Sequence, residues 1–303
     1  MDLKSKIILI SGPTASGKSK FAIKISKKIN GEIINADSMQ IYKEINILNA
    51  KPAKKNFNLV KHHLYGIHSV KKNFSSGQWF DLVKKKIFEI KKKNKIPVIV
   101  GGTGLYFKIL TDGLVKIPKI PKNFRIDLVK THNKIGQKKF YKELIKIDKL
   151  AKIKINKNDS QRTIRAYEVK KFTGKSIFDW FKDTKSKFDK ESFIKILIDF
   201  PRADLIAQIE KRTNKMIRAG GIKEVKSFNK LNIDKALTAN KIIGINEINE
   251  YLLKLTNLSK TKEKISIKTR QYSKRQVTWS RNNMVDWNKV AKKDLETFIK
   301  NFK

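Results

Sequence analysis

Gly12-Pro13-Thr14-Ala15-Ser16-Gly17-Lys18-Ser19 has the residue types and spacing of a phosphate-binding loop, G-x-x-x-x-G-K-S. Glycines allow a tight turn whose backbone N–H groups converge on one point, and Lys18 adds a positive charge there. Ser19 supplies the hydroxyl that meets Mg²⁺ at such loops. The chemistry on offer is the binding of a diphosphate or triphosphate, and the loop alone leaves its owner open. Two further stretches could act beside it. Asp37-Ser38-Met39-Gln40-Ile41-Tyr42 carries a carboxylate that could serve as a general base or hold Mg²⁺ through water, and that could equally cap the next turn. In Gly101-Gly102-Thr103 the glycines let the backbone approach a ligand, and Thr103 offers a hydroxyl to a phosphate oxygen, or caps a strand-to-helix turn. No acid stands at that strand end, where many phosphate-loop proteins carry one, so ordinary Mg²⁺-ATP hydrolysis is disfavoured.

Two basic or polar segments lie further along. Asp159 is placed to cap a helix on which Gln161, Arg162 and Arg165 share a face around Thr163 and Ile164. Gln can contact a base edge and Arg a phosphate, while the same face could also be merely solvated. Over 261–281, a step of 100° per residue puts Ile265, Tyr272 and Trp279 on one side and Arg270, Lys274 and Arg281 on the other. A basic stripe on a packed helix suits a phosphate backbone. His62-His63 does not make a metal site on this reading: adjacent side chains diverge in an extended segment, and no cysteine completes a shell.

The elements that must position these groups alternate. Ile7–Ile10 reads as a buried strand before the phosphate loop, and Phe21, Ile25 and Ile29 mark the helix after it. Glu32–Asn35 is a second strand ending at Asp37. Ser75 or Ser76 caps a helix marked by Trp79, Leu82, Val83, Ile87 and Ile90, and Pro97–Val100 is a strand closing on Gly101. This alternation predicts an α/β fold: a phosphate-loop NTPase-like parallel sheet covered by helices, with loops converging at the strands' C-terminal ends. Past Gly113 the pattern turns helical and stays so to about Phe181, before a strand over Phe193–Phe200. The expected domains are therefore a core of residues 1–117 and 191–303, and an inserted helical domain of 118–190. Helices return from Arg202, break at Gly220-Gly221, and end in the long basic one.

The chain has 303 residues, no cysteine and a net charge of +43. Disulfides, thiolate zinc and thiol nucleophiles are excluded. The charge favours a polyanionic partner, although the abundance of Lys, Ile and Asn, residues of AT-rich codons, supplies part of it. The first apolar run is too short for a signal peptide or membrane span, so a cytoplasmic protein with no membrane partner is expected.

Taken in order, these islands resemble the tRNA dimethylallyltransferase (tRNA isopentenyl transferase) family, in its bacterial form. The resemblance runs through Gly12–Ser19, Asp37–Tyr42, Ala50-Lys51-Pro52, His62-His63-Leu64 and Gly101-Gly102-Thr103-Gly104-Leu105-Tyr106. It continues in Asp159-Ser160-Gln161-Arg162, Arg165–Val169, Thr173-Gly174-Lys175 and 269–279, and so covers most of the chain. It implies transfer of a dimethylallyl group from its diphosphate to N6 of the adenine 3′-adjacent to the anticodon, in tRNAs reading codons that begin with U. Dimethylallyl diphosphate and Mg²⁺ would then occupy Gly12, Pro13, Thr14, Ala15, Ser16, Gly17, Lys18 and Ser19, with Ser19 the metal ligand. Asp37, Thr103, Lys18 and Arg212 would be the catalytic groups, Arg212 matching an arginine that faces the diphosphate. The tRNA anticodon stem-loop would meet Asp37, Ser38, Met39, Gln40, Thr103, Arg125, Gln161, Arg162, Thr163, Ile164 and Arg165. On the C-terminal helix it would meet Lys274, Arg275, Gln276, Val277, Thr278, Trp279, Ser280 and Arg281, with the turn at Gly244 nearby. A monomer is expected. The sequence departs from the family pattern at Ile243-Gly244-Ile245-Asn246-Glu247 and at Leu48-Asn49. A small-molecule kinase, a non-catalytic RNA-binding protein and a cousin that prenylates AMP are the alternatives on this reading.

Overall fold

A computed structural model describes residues 3–302; Met1, Asp2 and Lys303 of the expected core domain lie outside them. Strand β1 (Ile7–Ser11) leads through the phosphate loop into helix α1 (Lys18–Lys28), and β2 (Gly31–Asn35) follows. A short helix α2 (Lys54–Leu59) precedes β3 (His62–His63), and α3 (Ser76–Lys91) leads to β4 (Ile96–Gly101) and α4 (Gly104–Asp112). Helices α5 (Lys122–Ile147), α6 (Lys149–Lys154), α7 (Ser160–Thr173) and α8 (Ile177–Lys182) come next. The chain then returns as β5 (Phe193–Asp199), α9 (Arg202–Arg218), α10 (Gly221–Asn229), α11 (Ile245–Leu252) and α12 (Leu258–Asn283). It closes with β6 (Asn288–Ala291) and α13 (Leu295–Asn301).

All strand pairs are parallel, in the order β3-β2-β4-β1-β5-β6. Strands β1, β2 and β4 are buried along their whole length, which is why β1 and β4 read as nearly continuous apolar runs, while β2 buries Glu32 and Asn35 beside Ile33 and Ile34. Phe21, Ala22 and Ile25 of α1 pack on Ile8, Ile33 and Val98 of the sheet. Helix α3 starts where its sequence says: Ser75 and Gln78 form a reciprocal capping box, and Trp79, Val83, Ile87 and Ile90 face inward. Three elements carry no clear sequence pattern. Strands β3 and β6 have two and four residues, too few for a period, and α13 has seven.

The chain divides into two compact units, one of residues 1–111 and 188–303 and one of 112–187. The second has its own apolar centre, in which Leu144, Ala151, Ile155, Ala166, Val169 and Ile177 meet. Asp148 caps α6 and accepts a hydrogen bond from the Ser176 hydroxyl at 2.7 Å, tying two of its helix starts together.

In the first unit the chain crossings at the C-terminal edge of the sheet are tight. The Ala36 N–H donates to the Val100 carbonyl (2.8 Å), and the Thr103 N–H donates to the Ala36 carbonyl (3.2 Å). A Cβ at Gly101 would stand 2.0 Å from that carbonyl oxygen, so only glycine lets β2 and β4 deliver their loops side by side. Gly101→Ala is therefore expected to destabilise the protein by more than about 3 kcal/mol in urea unfolding. Gly174→Ala, at the C-terminus of α7, where φ is +71°, ψ is −16° and nothing stands within 4 Å, should cost only about 1 kcal/mol. Equal costs would show that backbone conformation, not the crossing, selects glycine at 101.

Candidate diphosphate site

Gly17 caps α1 at φ +81°, and Ala15 also lies in the left-handed region at φ +66°. These two reversals curl the loop so that the first turn of α1, which carries no acidic residue, faces its hollow. The Ser16 hydroxyl is buried with no hydrogen-bond partner, an orphan that a phosphate oxygen would satisfy. Not every loop amide is free for a ligand. The Thr14 N–H donates to Gln276 Oε1 (2.8 Å), and the Thr14 hydroxyl accepts from Arg212 Nη1 (2.9 Å).

Gln276 holds two loops at once, since its Nε2 donates to the Gly102 carbonyl (2.9 Å). A Cβ at Gly102 would lie 2.2 Å from that nitrogen, and one at Gly104 would lie 2.2 Å from the Trp279 ring. The glycine-rich turn after β4 is thus the footprint of α12. The inner face of α12 differs from the apolar stripe expected from Ile265, Tyr272 and Trp279. Thr261, Ser266, Thr269, Ser273, Gln276 and Ser280 are buried there along with Ile265, and Tyr272 and Trp279 are only half-buried. Small hydroxyl side chains can bond back to their own helix, as Thr269 does to the Ile265 carbonyl (2.7 Å), or across to α9, as Ser266 does to Thr213 (3.1 Å).

Asp37 caps the next turn and keeps one oxygen open. Oδ1 accepts from the Met39 N–H (2.9 Å) and closes the turn, while Oδ2 takes no hydrogen bond among the described residues. Asn35 fixes the stretch from below, accepting from the Asp37 N–H (2.8 Å) and donating to the Asp37 carbonyl (3.0 Å). The Thr103 hydroxyl accepts from the Ser38 N–H (3.0 Å), linking the turns after β2 and β4. Gln40 donates to the Asn49 and Ala50 carbonyls, and Glu224 of α10 accepts from the N–H groups of Asn46, Ile47 and Leu48. The divergent Leu48-Asn49 loop is held in this way. Gly244, at φ +109°, starts α11, and its N–H donates to Glu247 Oε2 (2.8 Å), so the divergent turn retains a capping role.

The charges around the loop are two cations and one carboxylate. Burial pulls the Lys18 ammonium down from its ordinary 10.5 to about 8, with Asp37 opposing the fall and Arg212 adding to it. Burial also lowers Arg212, again opposed by Asp37. Desolvation, then the Asp37 carboxylate, raises the phenols of Tyr65, Tyr106 and Tyr272, so these hydroxyls stay protonated donors. Tyr106 is stacked on Trp79, with ring centroids 4.1 Å apart.

Several residues expected at an RNA surface point elsewhere. Gln276 is committed to the two loops, Ser280 is buried and donates to the Gln276 carbonyl (2.6 Å), and Thr163 is buried and donates to the Asp159 carbonyl (2.7 Å). These three side chains are engaged within the fold, since consecutive residues of a helix do not share one outer face. Lys274, Arg275, Thr278 and Arg281 are exposed on α12. In the second unit Gln161 and Arg162 are exposed, and Arg125 and Arg165 both donate to Glu168. His63 is taken by the buried Glu32 (2.7 Å), which also pairs with Lys95 (3.0 Å). Arg212 left a signal in the sequence that charge counting overlooks: it falls in the row Leu205, Ile209, Met216 of buried α9 positions.

A parallel sheet whose strand β1 runs through a G-x-x-x-x-G-K-S loop into the N-terminus of α1 defines a phosphate-loop protein. Residues 40–283 match the IPP transferase family profile, and the chain belongs to that family. It is 54% identical to the tRNA dimethylallyltransferase of Pelagibacter ubique (strain HTCC1062), over 100% of this chain and 97% of that protein. It is 40% identical to the tRNA dimethylallyltransferase of Rickettsia conorii, over 99% of this chain and 83% of that one. Among solved structures, the tRNA isopentenylpyrophosphate transferase of Bacillus halodurans matches with a TM-score of 0.70 and 29% identity, covering 98% of this chain and 95% of that one. A eukaryotic dimethylallyltransferase acting on tRNA matches with a TM-score of 0.82 and 26% identity, covering 98% and 76%.

The Lys18 position sets a pH signature. Its folded pKa lies below its unfolded one, so the buried charge costs stability at pH 7, and that cost is relieved as pH rises from about 8 towards 10.5. Lys18→Met should accordingly raise the melting temperature of the ligand-free protein at pH 7, by an increment that shrinks as the pH is raised through that window. A pH-independent increment would show that Lys18 is not buried as a cation.

Proposed function

We propose that this chain transfers a dimethylallyl group from dimethylallyl diphosphate to N6 of the tRNA adenine 3′-adjacent to the anticodon, in tRNAs reading codons that begin with U. The observation that carries this reading is the carboxylate of Asp37, with one oxygen open beside two half-buried cations, Lys18 of the phosphate loop and Arg212 of α9. A proton acceptor there suits any nucleophile that loses a proton, and the turn after β4, Gly101-Gly102-Thr103, carries no acid of the kind that holds Mg²⁺ on ATP, which disfavours a kinase. In the reaction the N6 lone pair attacks the terminal allylic carbon, the carbon–oxygen bond to diphosphate breaks, and diphosphate leaves with the electron pair. Lys18, Arg212, the Ser16 hydroxyl and the free amides of the α1 turn would stabilise the charge that grows on the leaving oxygens. Asp37 Oδ2 would accept the amine proton, while Oδ1 keeps the carboxylate oriented through Met39. Thr103 would act by holding Ser38 and through it this turn.

The donor set fits a divalent cation of the Mg²⁺ kind. The exposed Ser19 at the first turn of α1 is a hard oxygen ligand, and no group of three His, Asp or Glu among the described residues makes a protein cage. Mg²⁺ is commonly held by few protein oxygens together with phosphate and water. When bound it would neutralise the leaving diphosphate. The tRNA would be met by the exposed Lys274, Arg275, Thr278 and Arg281 of α12 in the first unit and by Gln161 and Arg162 in the second. Among the described residues, no helix is long and apolar enough to cross a membrane.

The test is incubation of the protein with unmodified tRNA, radiolabelled dimethylallyl diphosphate and Mg²⁺. Label is expected to enter tRNA without ATP, and Lys18→Ala should abolish the transfer. Transfer only when ATP is supplied, transfer to AMP in place of tRNA, or full activity of Lys18→Ala would each contradict the reading.

A further inference from the structure

Asn35, the last residue of β2, is fully buried, and its carboxamide is saturated. Oδ1 accepts from the Asp37 N–H (2.8 Å), while Nδ2 donates to the Asp37 carbonyl and to the Leu64 carbonyl, each at 3.0 Å. Closing a turn two residues ahead needs only the first of these bonds. The other two are surplus to the turn: they restrain Asp37 at its carbonyl and fasten it to the end of β3. Leu64 is buried at φ +63°, in the left-handed region that a leucine occupies only where its surroundings hold it. The strand before it is pinned as well. His63 pairs with Ile34 in the ladder, and its Nε2 meets the buried Glu32 (2.7 Å). From α3, Trp79 Nε1 donates to the Asn35 carbonyl (2.9 Å).

We propose that Asn35 is a positioning residue for the chemical step, acting through Asp37 without touching substrate. The proposal rests on the prenyl-transfer reading given above and deepens it. One amide holds both the N–H and the carbonyl of Asp37, and Met39 holds Oδ1, so Oδ2 is left a single direction. A general base works only within hydrogen-bond reach of the proton it takes, and an error of about 1 Å in its aim is costly in rate. The chemistry selects asparagine for this task. An amide of this length presents one acceptor and two donors, which match one N–H and two carbonyls. Aspartate offers acceptors alone, and the serine hydroxyl has one donor and a shorter reach. Only the bond to Leu64 leaves the turn, which gives the two-residue β3 a role as the fixed point from which the base is braced.

The test is the single-turnover rate of label transfer from radiolabelled dimethylallyl diphosphate to an unmodified tRNA transcript, both saturating. The tRNA Kd is measured alongside, at a temperature where thermal melting shows each variant folded. Asn35→Ser keeps an oxygen for the Asp37 N–H, so the turn can close, but it loses the brace to Leu64. Its rate is expected to fall about 10-fold or more, with the tRNA Kd changed by less than about 2-fold. Asn35→Asp, which keeps the shape and loses the donors, should fall in the same way. Combined with Asp37→Asn, the Asn35→Ser change should slow transfer no further, because no carboxylate remains to be aimed. A wild-type rate in both Asn35 variants overturns the proposal. So does an equal fold-loss with and without Asp37→Asn, which would mean that Asn35 supports the site's fold and not its base. A loss confined to tRNA affinity overturns it too. Failure of the wild-type protein to transfer label, or a near-wild-type rate for Asp37→Asn alone, would instead overturn the reading on which the proposal rests.

Discussion

Two half-buried cations, Lys18 and Arg212, stand beside one carboxylate, and much of the first unit is arranged to keep them there. Burying like charges is costly, and the cost is visible as the fall of both groups below their ordinary range. Asp37 offsets part of it in the ligand-free protein. A diphosphate offsets more, because it brings several negative charges to the same point. The site thus stores, before any ligand arrives, the interaction that later stabilises a departing diphosphate.

Holding the three charges in register falls to two crossings. At one, Ala36 passes between Val100 and Thr103 with no room for a side chain at Gly101. At the other, the Gln276 amide joins the phosphate loop to the turn after β4. Helix α12 therefore connects its exposed cationic side to the diphosphate loop through one buried side chain. A polymer lying on that outer face would bear on the helix that fixes the loop.

The phosphate loop, the alternating strands and helices and the helical insertion were legible because each depends on local pattern: glycine spacing, buried apolar runs and caps such as Ser75 and Asp159. The rest depends on contacts that no local pattern carries. A polar inner face on α12 reads as solvent-facing until α9 and the two loops are seen to take its hydroxyl and amide groups. Gln276 entered as an RNA contact through the family resemblance, and nothing in its own stretch of sequence announces its hold on the two loops. The short β3 and β6 exist by pairing with β2 and β5, and have too few residues to announce themselves. Arg212 entered the sequence reading by family likeness alone, although a charge within the Leu205-Ile209-Met216 row was its physical trace.

The central claim, that Asp37 takes the proton of the attacking amine beside the diphosphate, is tested most directly by the single-turnover rate of Asp37→Asn with saturating tRNA. The amide keeps an oxygen for the Met39 N–H, so the turn survives, but it cannot accept the proton. The rate is expected to fall by roughly 10² or more, with tRNA affinity nearly intact. A near-wild-type rate would contradict the account and leave Asp37 as the cap of a turn.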